Sequence, residues 1–465
     1  MAGRKARFLL ILQLIGCLSL QAGEPQHTLS REEYLSIVRS YHPIARQASL
    51  FVERSRAAVQ EARGAFDPVL EAGLDRKTFD GKLYYSYFNP QVTIPTWYGI
   101  ELKAGAEEVY GERVSPETTL GVTSYAGVKL NANGIVLDRR RATLRQAQLF
   151  SKLSEAEQLA TVNDLLYDAL SAYWNWVRAY LQYNIFSEAI RVNEERLRFV
   201  RLEFEQGARP AIDTTEALAQ LQQFHIQQNE AWLAYQNAGL ELSGFLWLQN
   251  DQPLSWDGSV LPATEELQPG GIPSLEELIA VSRTAHPKLQ GMGFKLGMLE
   301  TDRRLKAQYL LPKLGISANW LSGGYRAPEG LSAAFLENNY KLGVDLSIPL
   351  FLREARGAYR AAGIKIRETE LDRDLQSLQI ENKVKMYHNE VVAISRQINI
   401  YEQAAQNYRR LLQGERLRFE AGESTLFILN SRENKVLETS QKLIELKTKW
   451  HKSYAALLWA AGQLR

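Results

Sequence analysis

The sequence contains two copies of one pattern, and the distance between the copies changes once along the chain. His42-Pro43 recurs 244 positions later as His286-Pro287. Other matches lie 215 positions apart: Leu137, Arg141, Arg145, Arg201, Phe204 and Gly207 recur as Leu352, Arg356, Arg360, Arg416, Phe419 and Gly422. The surplus of 29 residues lies in the first copy, between Pro68 and Leu137. This duplication predicts one fold built from two similar halves rather than several unrelated domains.

The amino terminus has the pattern of an export signal. Arg4, Lys5 and Arg7 precede an apolar run from Phe8 to Leu20 that is too short for a membrane-spanning helix, so we predict a signal peptide over residues 1–22. Residues 14–17, Leu-Ile-Gly-Cys, also have the form of a lipoprotein cleavage box. Acylation of Cys17 and conventional cleavage near residue 22 both remain open. Because Cys17 is the only cysteine, no disulfide is expected.

Charge and motif content exclude several classes of function. Removal of the three basic residues of the leader lowers the formal net charge from +2 to −1, which leaves no electrostatic footprint for nucleic acid. The sequence has no Gly-Lys-Ser phosphate loop, no His-Glu-x-x-His zinc helix and no Gly-x-Ser-x-Gly nucleophile elbow. We therefore predict no catalytic residue, no metal site and no cofactor, and we expect that the protein is not an enzyme.

Two very long helices are predicted, one in each copy. No proline interrupts residues 138–204, and apolar residues in residues 380–412 keep the 3.5-residue period that is typical of coiled-coil-like helices. Gly207 and Gly422 follow these segments, and a second helical stretch returns after each glycine. The prediction is a helical hairpin at about 138–248 with its tip at about 201–216, and another at about 353–464 with its tip at about 416–431.

A period of two residues precedes each helical hairpin. The alternating segments are Val69 to Thr78, Leu120 to Leu130, Leu314 to Trp320 and Val344 to Ile348, and a long aromatic loop at 79–119 separates the first two. We predict one β-hairpin in each repeat, at about 69–130 and about 313–350. Such strands suit an outer-membrane β-barrel, and a soluble hairpin packed on the helices is the open alternative. Four strands are too few to close a water-filled barrel, so a symmetric trimer with a 12-stranded barrel is expected.

The remaining segments complete the predicted organisation. The first structural repeat covers residues 23–249, a linker rich in Pro, Gly and acidic residues covers 250–272, and the second repeat covers 273–465. Each repeat begins with a short helix that ends at His-Pro, because the residue before a proline is pushed out of helical geometry. The two histidines are therefore predicted to mark helix boundaries rather than to bind ligands.

The duplicated β-hairpin, long helix, Arg-Leu-x-Phe-Glu-x-Gly turn and returning helix resemble the TolC-like outer-membrane efflux protein family over about Leu29 to Leu464. The resemblance implies a mainly α fold with a β-barrel part. It implies a homotrimer with a transmembrane barrel in the outer membrane lipid and an α-helical tunnel in the periplasm. The implied function is passive transport through an exit channel of an efflux or secretion system. The implied partners are a periplasmic adaptor (membrane fusion) protein and an inner-membrane pump.

The resemblance also assigns residues. The predicted adaptor-docking tip comprises Arg201, Leu202, Phe204, Gly207, Arg416, Leu417, Phe419 and Gly422, although helix capping by the glycines and packing of the phenylalanines are expected there as well. The predicted tunnel-entrance constriction comprises Asp213, Glu216, Ile428 and Ser431. Three copies would place six carboxylates at the entrance, which would favour cations. Alternatively, Asp213-Thr-Thr-Glu216 is a helix capping box.

One function of another class also remains open: a periplasmic adaptor or coiled-coil spacer without a pore. An adaptor would show one helical hairpin flanked by split β-domains, and a spacer would need no β-hairpin. The sequence instead predicts two complete helical hairpins, each preceded by its own β-hairpin.

Overall fold

The structure, a computed structural model, describes residues 28–131, 137–264, 267–324 and 339–464. The predicted signal peptide and Cys17 lie outside these residues. The described helices are α1 (Arg31–Tyr41), α2 (Pro43–Gly64), α3 (Arg139–Glu205), α4 (Ala211–Ser243), α5 (Leu275–Ala285), α6 (Pro287–Gln308), α7 (Arg353–Glu420) and α8 (Leu426–Ala460). In the described part of the chain, no helix combines the length and the apolar character needed to cross a membrane.

The two longest helices occupy the segments in which the apolar seam is unbroken. Helix α3 contains 67 residues and α7 contains 68. In α7, Ile380, Val384, Val391, Ile394 and Ile398 are all buried, as expected for residues that recur every three or four positions and pack along one stripe. Helices α4 and α8 run back after α3 and α7, so each repeat contains a helical hairpin.

The chain divides into two compact units, and the first includes Ala172–Gln268 and Ala404–Thr448. All four long helices contribute to its core near the turns. Buried apolar residues from α3, α4, α7 and α8 form one cluster: Phe186, Ala189, Ile190, Leu197, Val200, Ala217, Leu221, Phe224, Ala231, Phe419, Leu426 and Leu429. Burial of this apolar surface holds the two helical hairpins together. Strands β1 (Thr28–Leu29) and β6 (Leu261–Pro262) form a short parallel pair in the same unit.

The second unit includes Val38–Ser171, Pro269–Gln403 and Lys449–Arg465. It contains an antiparallel sheet with the strands β2 (Val69–Phe79), β3 (Lys82–Pro95), β4 (Ile100–Tyr110), β5 (Gly121–Asn131), β7 (Lys313–Gly323) and β8 (Tyr340–Ser347). The strands are hydrogen-bonded in the order β2-β3-β4-β5-β7-β8, so the two repeats meet where β5 pairs with β7.

The prediction of one β-hairpin in the first repeat, and hence of four strands in the chain, is wrong. The first repeat supplies four strands by itself, and the sheet has six. The segment expected as an aromatic loop forms β3 and β4, because aromatic and β-branched residues favour strands. Asp80 and Gly81, with φ of 54° and 69°, form the two-residue turn that joins β2 to β3. Positive φ at both positions is typical of a type I′ hairpin turn, whose twist matches that of the strands.

The two His-Pro pairs mark helix starts. His42 and His286 are the N-cap residues of α2 and α6, and in each case the imidazole Nδ1 accepts a hydrogen bond at 3.2 Å from the backbone N–H two residues later. Proline follows at the first helical position, where its missing N–H has no helical partner to lose. Both histidines are buried.

Acidification is expected to destabilise the protein through His286. Burial of the imidazole, together with the nearby charge of Lys288, lowers the pKa of His286 to about 4, against 6.5 in a solvated chain. Asp164 and Lys383 also face this group and shift its pKa in opposite directions. Between pH 6.5 and 4 the unfolded chain binds a proton that the folded chain does not, so the free energy of unfolding falls as pH falls through this range.

This loss is expected to reach on the order of 2–3 kcal/mol at pH 4. A His286→Asn variant keeps a capping side chain but cannot titrate, and should lose much of the pH dependence of the denaturant midpoint between pH 4 and 6.5. His225→Asn, at an exposed position on α4, is the control. Equal slopes for the parent and the His286→Asn variant would contradict this assignment.

Candidate functional site at the helical tips

Both helical hairpins bend through the same hydrogen-bonded turn. The N–H of Gly207 donates to the carbonyl of Phe204 at 2.9 Å, and the N–H of Ala208 donates to the carbonyl of Glu203 at 2.8 Å. The second tip repeats these two bonds 215 positions later, at 3.1 and 2.8 Å. This is the Schellman motif, which needs a left-handed residue after the helix, and Gly207 and Gly422 have φ of 75° and 76°. The repeated glycines are thus explained by backbone geometry.

The two phenylalanines of the repeated turn have different environments. Phe419 is 3% exposed and belongs to the core shared by the four long helices, whereas Phe204 is 44% exposed. At the second turn, Arg209 contacts Phe419: its guanidinium lies 4.0 Å from the centroid of the phenylalanine ring. Arg209 Nη2 also donates to the Phe419 carbonyl at 3.4 Å. The loop of the first tip is thereby attached to the turn of the second.

The other residues predicted at the tips are on the surface. Leu202 and Leu417 are 56% and 63% exposed, and Arg201 and Arg416 are exposed as well. Arg416 Nε donates to Glu420 one helical turn later at 3.3 Å. Each turn thus places an apolar leucine on the surface beside an exposed arginine.

Asp213 takes part in an ion-pair cluster rather than in a capping box. Helix α4 begins at Ala211, and its N-cap residue, Pro210, makes no side-chain capping bond. The capping-box alternative is therefore wrong, because the helix starts two residues before Asp213. The Asp213 carboxylate instead accepts from Arg209 Nη1 at 3.4 Å, and the same guanidinium binds Glu203. An acidic residue in the first turn also interacts favourably with the helix dipole.

A buried polar network joins the two helical hairpins close to their turns. Arg196 of α3 and Glu433 of α8 form a bidentate ion pair, with Nη1–Oε2 and Nη2–Oε1 distances of 2.6 and 2.9 Å. Their side chains are only 11% and 8% exposed. Asn193 Nδ2 donates to Glu433 at 3.2 Å, and Arg196 donates to Asn430 Oδ1 at 3.1 Å. Because two parallel hydrogen bonds fix both partners, this pair specifies the packing of α3 against α8.

The network reaches one of the predicted entrance residues. Asn430 Nδ2 donates to Glu216 Oε1 at 3.1 Å, so Glu216 links α4 to α8. Ile428 and Ser431, on the same helix as Asn430, are exposed in the single chain. The structure thus brings Asp213 beside Arg209 and Glu216 beside Asn430, and it leaves Ile428 and Ser431 on the surface.

Sequence reasoning missed Arg196, Glu433, Asn193 and Asn430. A signal was present, because Asn430 and Glu433 fall on the apolar stripe of α8 that includes Leu426 and Leu429. Polar residues within an apolar helical stripe are buried when the stripe packs, and they then need partners. The stripe does not identify the partner of Glu433, because Arg196 lies 237 positions earlier in the sequence.

The described residues offer no metal centre, since no three His, Cys, Asp or Glu side chains among them lie close enough to hold an ion. The tips present ion pairs, amide hydrogen bonds and exposed apolar surface. Such a set can hold or release helices and can bind another protein.

Comparisons with known proteins agree with this architecture. Residues 278–463 match the model of a family described as outer membrane efflux protein. No curated protein sequence matches the chain.

The chain is similar to solved structures along nearly its whole length. For the Campylobacter jejuni CmeC outer membrane channel the identity is 17% and the TM-score 0.63, covering 97% of this chain and 92% of that one. For the Neisseria gonorrhoeae MtrE outer membrane channel in its open state, the identity is 14% and the TM-score 0.67, covering 96% of this chain and 94% of that one. For the outer membrane protein VceC of Vibrio cholerae, the identity is 15% and the TM-score 0.63, covering 93% of this chain and 96% of that one. The second repeat thus matches the sequence model of the outer membrane efflux protein family, and nearly the whole chain is similar in fold to such channels.

Proposed function

We propose that three copies of this chain form a channel in the outer membrane that is the exit duct of an efflux or secretion system. The second repeat matches the model of the outer membrane efflux protein family, and the solved structures that share the fold include outer membrane channels; this observation carries the proposal. The sheet would supply the wall within the membrane and the helical hairpins a tunnel in the periplasm. Substrates would pass through unchanged, because the family and its relatives are channel proteins rather than enzymes.

The alternative of a periplasmic adaptor has no support from the family or the fold. The coverage of the channel relatives extends over both helical hairpins and the sheet, not over one hairpin alone. The two functions differ in a simple observation. A heat-resistant trimer in detergent extracts of outer membranes is expected for the channel, whereas a monomer in the soluble periplasmic fraction would overturn the proposal in favour of an adaptor.

The exposed apolar residues of the tips support docking of a periplasmic adaptor protein. Leu202 and Leu417 occupy equivalent places in the two turns, and each lies next to charged residues in the last turn of its helix. A trimer would present six such turns to the adaptor. The inner-membrane pump would supply the energy, and the channel would respond to adaptor binding by a shift between closed and open packings of its helices.

Substitution of Leu417 by glutamate is expected to reduce export at least 10-fold while leaving the channel intact. A buried charge at an apolar interface without a partner costs several kcal/mol, and 1.4 kcal/mol corresponds to a factor of 10 in binding. The measurements are export in cells and the rate of solute entry into liposomes that carry the purified protein. Leu411→Glu, also on an exposed face of α7 but further from the turn, is the control. Normal export by the Leu417→Glu variant would argue against docking at this turn.

The residues at the start of α4 and α8 support a gate at the tunnel entrance. Asp213 and Glu216 would contribute six carboxylates in a trimer, and Ile428 and Ser431 would add an apolar and a small polar ring. The Arg196–Glu433 pair holds the two hairpins of one chain in the observed arrangement. Opening of the gate would need these contacts to loosen.

A further inference from the structure

The β-hairpin formed by β3 and β4 has the same length as the extra segment that the first repeat contains relative to the second. Lys82 to Tyr110 spans 29 residues, the same number by which the two repeats differ between Pro68 and Leu137. In the sheet this hairpin lies between β2 and β5, which would otherwise be neighbours like β7 and β8 in the second repeat. The first repeat therefore equals the second plus one inserted hairpin.

The inserted hairpin runs through the full height of the sheet. Strand β2 pairs with β3 over its entire length, from Val69–Thr93 to Phe79–Lys82. Strand β4 pairs with β5 from Ile100–Leu130 to Val109–Gly121. The four strands of the first repeat contain 11, 14, 11 and 11 residues, so each is at least as long as an outer-membrane strand needs to be. The insertion is thus a part of the wall and not an extension of a loop.

One face of the sheet is apolar across all six strands. A single row of successive cross-strand pairs runs Leu70–Val92, Val92–Ala104, Ala104–Ala126, Ala126–Trp320 and Trp320–Tyr340. The adjacent row on this face runs Ile94–Leu102, Leu102–Val128, Val128–Ala318 and Ala318–Leu342. Since side chains alternate between faces, the row between these two lies on the other face, and it runs Thr93–Lys103, Lys103–Gly127, Gly127–Asn319 and Asn319–Lys341. Alternation of this kind is typical of strands with lipid on one side and water on the other.

The polar face shows that the inserted hairpin is integrated into the sheet. Tyr125 of β5 reaches across β4, and its hydroxyl lies 3.1 Å from both Asn89 Oδ1 and Gln91 Oε1 of β3. The crossing is possible because β4 has Gly105 at this point, where a Cβ atom would come within 2.8 Å of the tyrosine hydroxyl. Gln91 in turn donates to Glu71 of β2 at 3.1 Å. Side chains of the flanking strands therefore bind the insertion on this face.

The two edge strands of the sheet determine how one copy of the chain can pair with the next. In the described part of the chain, β2 and β8 are the edge strands, and each leaves one side of its backbone without a strand partner. Every pairing from β2 to β8 is antiparallel, so these two edges run in opposite directions. Strand β8 of one copy can thus pair antiparallel with β2 of the next, and a ring of copies leaves no edge open.

We propose that each chain contributes six strands, and that a trimer closes an eighteen-stranded barrel rather than a twelve-stranded one. This inference rests on the proposed trimeric outer-membrane channel. Because barrel diameter grows roughly linearly with strand number, the outer-membrane part would be about 1.5-fold wider than a twelve-stranded barrel. The channel would then admit bulkier substrates at the membrane than at a tip entrance closed by helices.

The experiment compares neighbouring positions that face opposite sides of one strand. Single cysteines replace Val92 and Thr93 in β3, and Ala318 and Ser317 in β7 serve as matched controls in a strand that is not inserted. Each purified protein is labelled with a thiol-reactive fluorophore and reconstituted in liposomes, and the parent chain reports any labelling of Cys17. Lipid-borne nitroxides should quench Val92→Cys and Ala318→Cys several-fold more strongly than Thr93→Cys and Ser317→Cys, and iodide in the aqueous phase should show the opposite preference.

The outcomes separate this inference from the proposed function. If quenching alternates between lipid and water in β7 but is purely aqueous in β3, the inserted hairpin lies outside the barrel wall. That result would overturn the proposal of six strands per chain but not the proposed channel. Aqueous quenching at all four positions would remove the sheet from the membrane, and both proposals would then fail. Native mass spectrometry of the unmodified protein counts the copies: three copies with alternation in both strands give eighteen strands, and any other number overturns eighteen.

Discussion

Substitution of Glu433 by glutamine is expected to increase solute passage through the isolated channel by about 10²- to 10³-fold. The change removes the carboxylate that faces the buried guanidinium of Arg196 at 2.6 and 2.9 Å. Loss of one partner of a buried ion pair costs about 3–5 kcal/mol, because the remaining charge stays desolvated. The substitution therefore destabilises the observed packing of α3 against α8, whereas an arrangement in which water reaches Arg196 is not destabilised. The equilibrium between closed and open packings of the helices then shifts toward the open one.

The measurement is the rate at which liposomes that carry the purified protein take up a labelled oligosaccharide. Glu438→Gln is the matched control, since Glu438 lies on the same helix and pairs with Lys435, but its side chain is 68% exposed. Exposed pairs contribute at most about 1 kcal/mol, so the control should behave like the parent. Equal uptake by the Glu433→Gln variant and the parent, with both proteins folded, would mean that this ion pair does not hold the channel closed.

Covalent joining of the tips is expected to abolish export. Cysteines in place of Asp213 and Ile428 lie in the first turns of α4 and α8, at the proposed entrance. A bifunctional thiol reagent that bridges them would prevent the helices from moving apart, and the tunnel would stay closed whatever the adaptor contributes. Export should fall to background in treated cells.

A cleavable reagent provides the internal control for this experiment. Reduction should restore export, and each single-cysteine variant should export normally after the same treatment. Unaffected export with cross-links verified on gels would show that passage does not depend on separation of these residues.

The repeat made much of the helical architecture predictable. The residues that recur at a spacing of 215 include Gly207 and Gly422, and the structure shows the same two backbone bonds at both turns. Local rules suffice there, because a left-handed residue after a helix strongly favours glycine. The His-Pro boundaries were predictable for the same reason, since the residue before a proline leaves helical geometry.

What the sequence could not show depends on distant partners or on competition between local signals. Arg196 and Glu433 are far apart along the chain, and neither has a local feature that names the other. Asp213 fits a capping box, but Pro210 starts the helix earlier and leaves Asp213 to Arg209. The sequence predicts a loop after Phe79 because strand signals from single hairpins are weak, although Asp80-Gly81 is a strong hairpin turn signal.

The most direct test of the proposed function is the single-channel conductance of the purified mature protein in a planar bilayer, alone and with the substitutions Asp213→Ala and Ile428→Gly together. For a duct closed at the helical tips, we expect rare, small openings of the parent protein and large, stable openings of the altered one. If neither protein conducts after confirmed insertion into the bilayer, the chain does not form a pore, and a spacer or adaptor function would replace the channel.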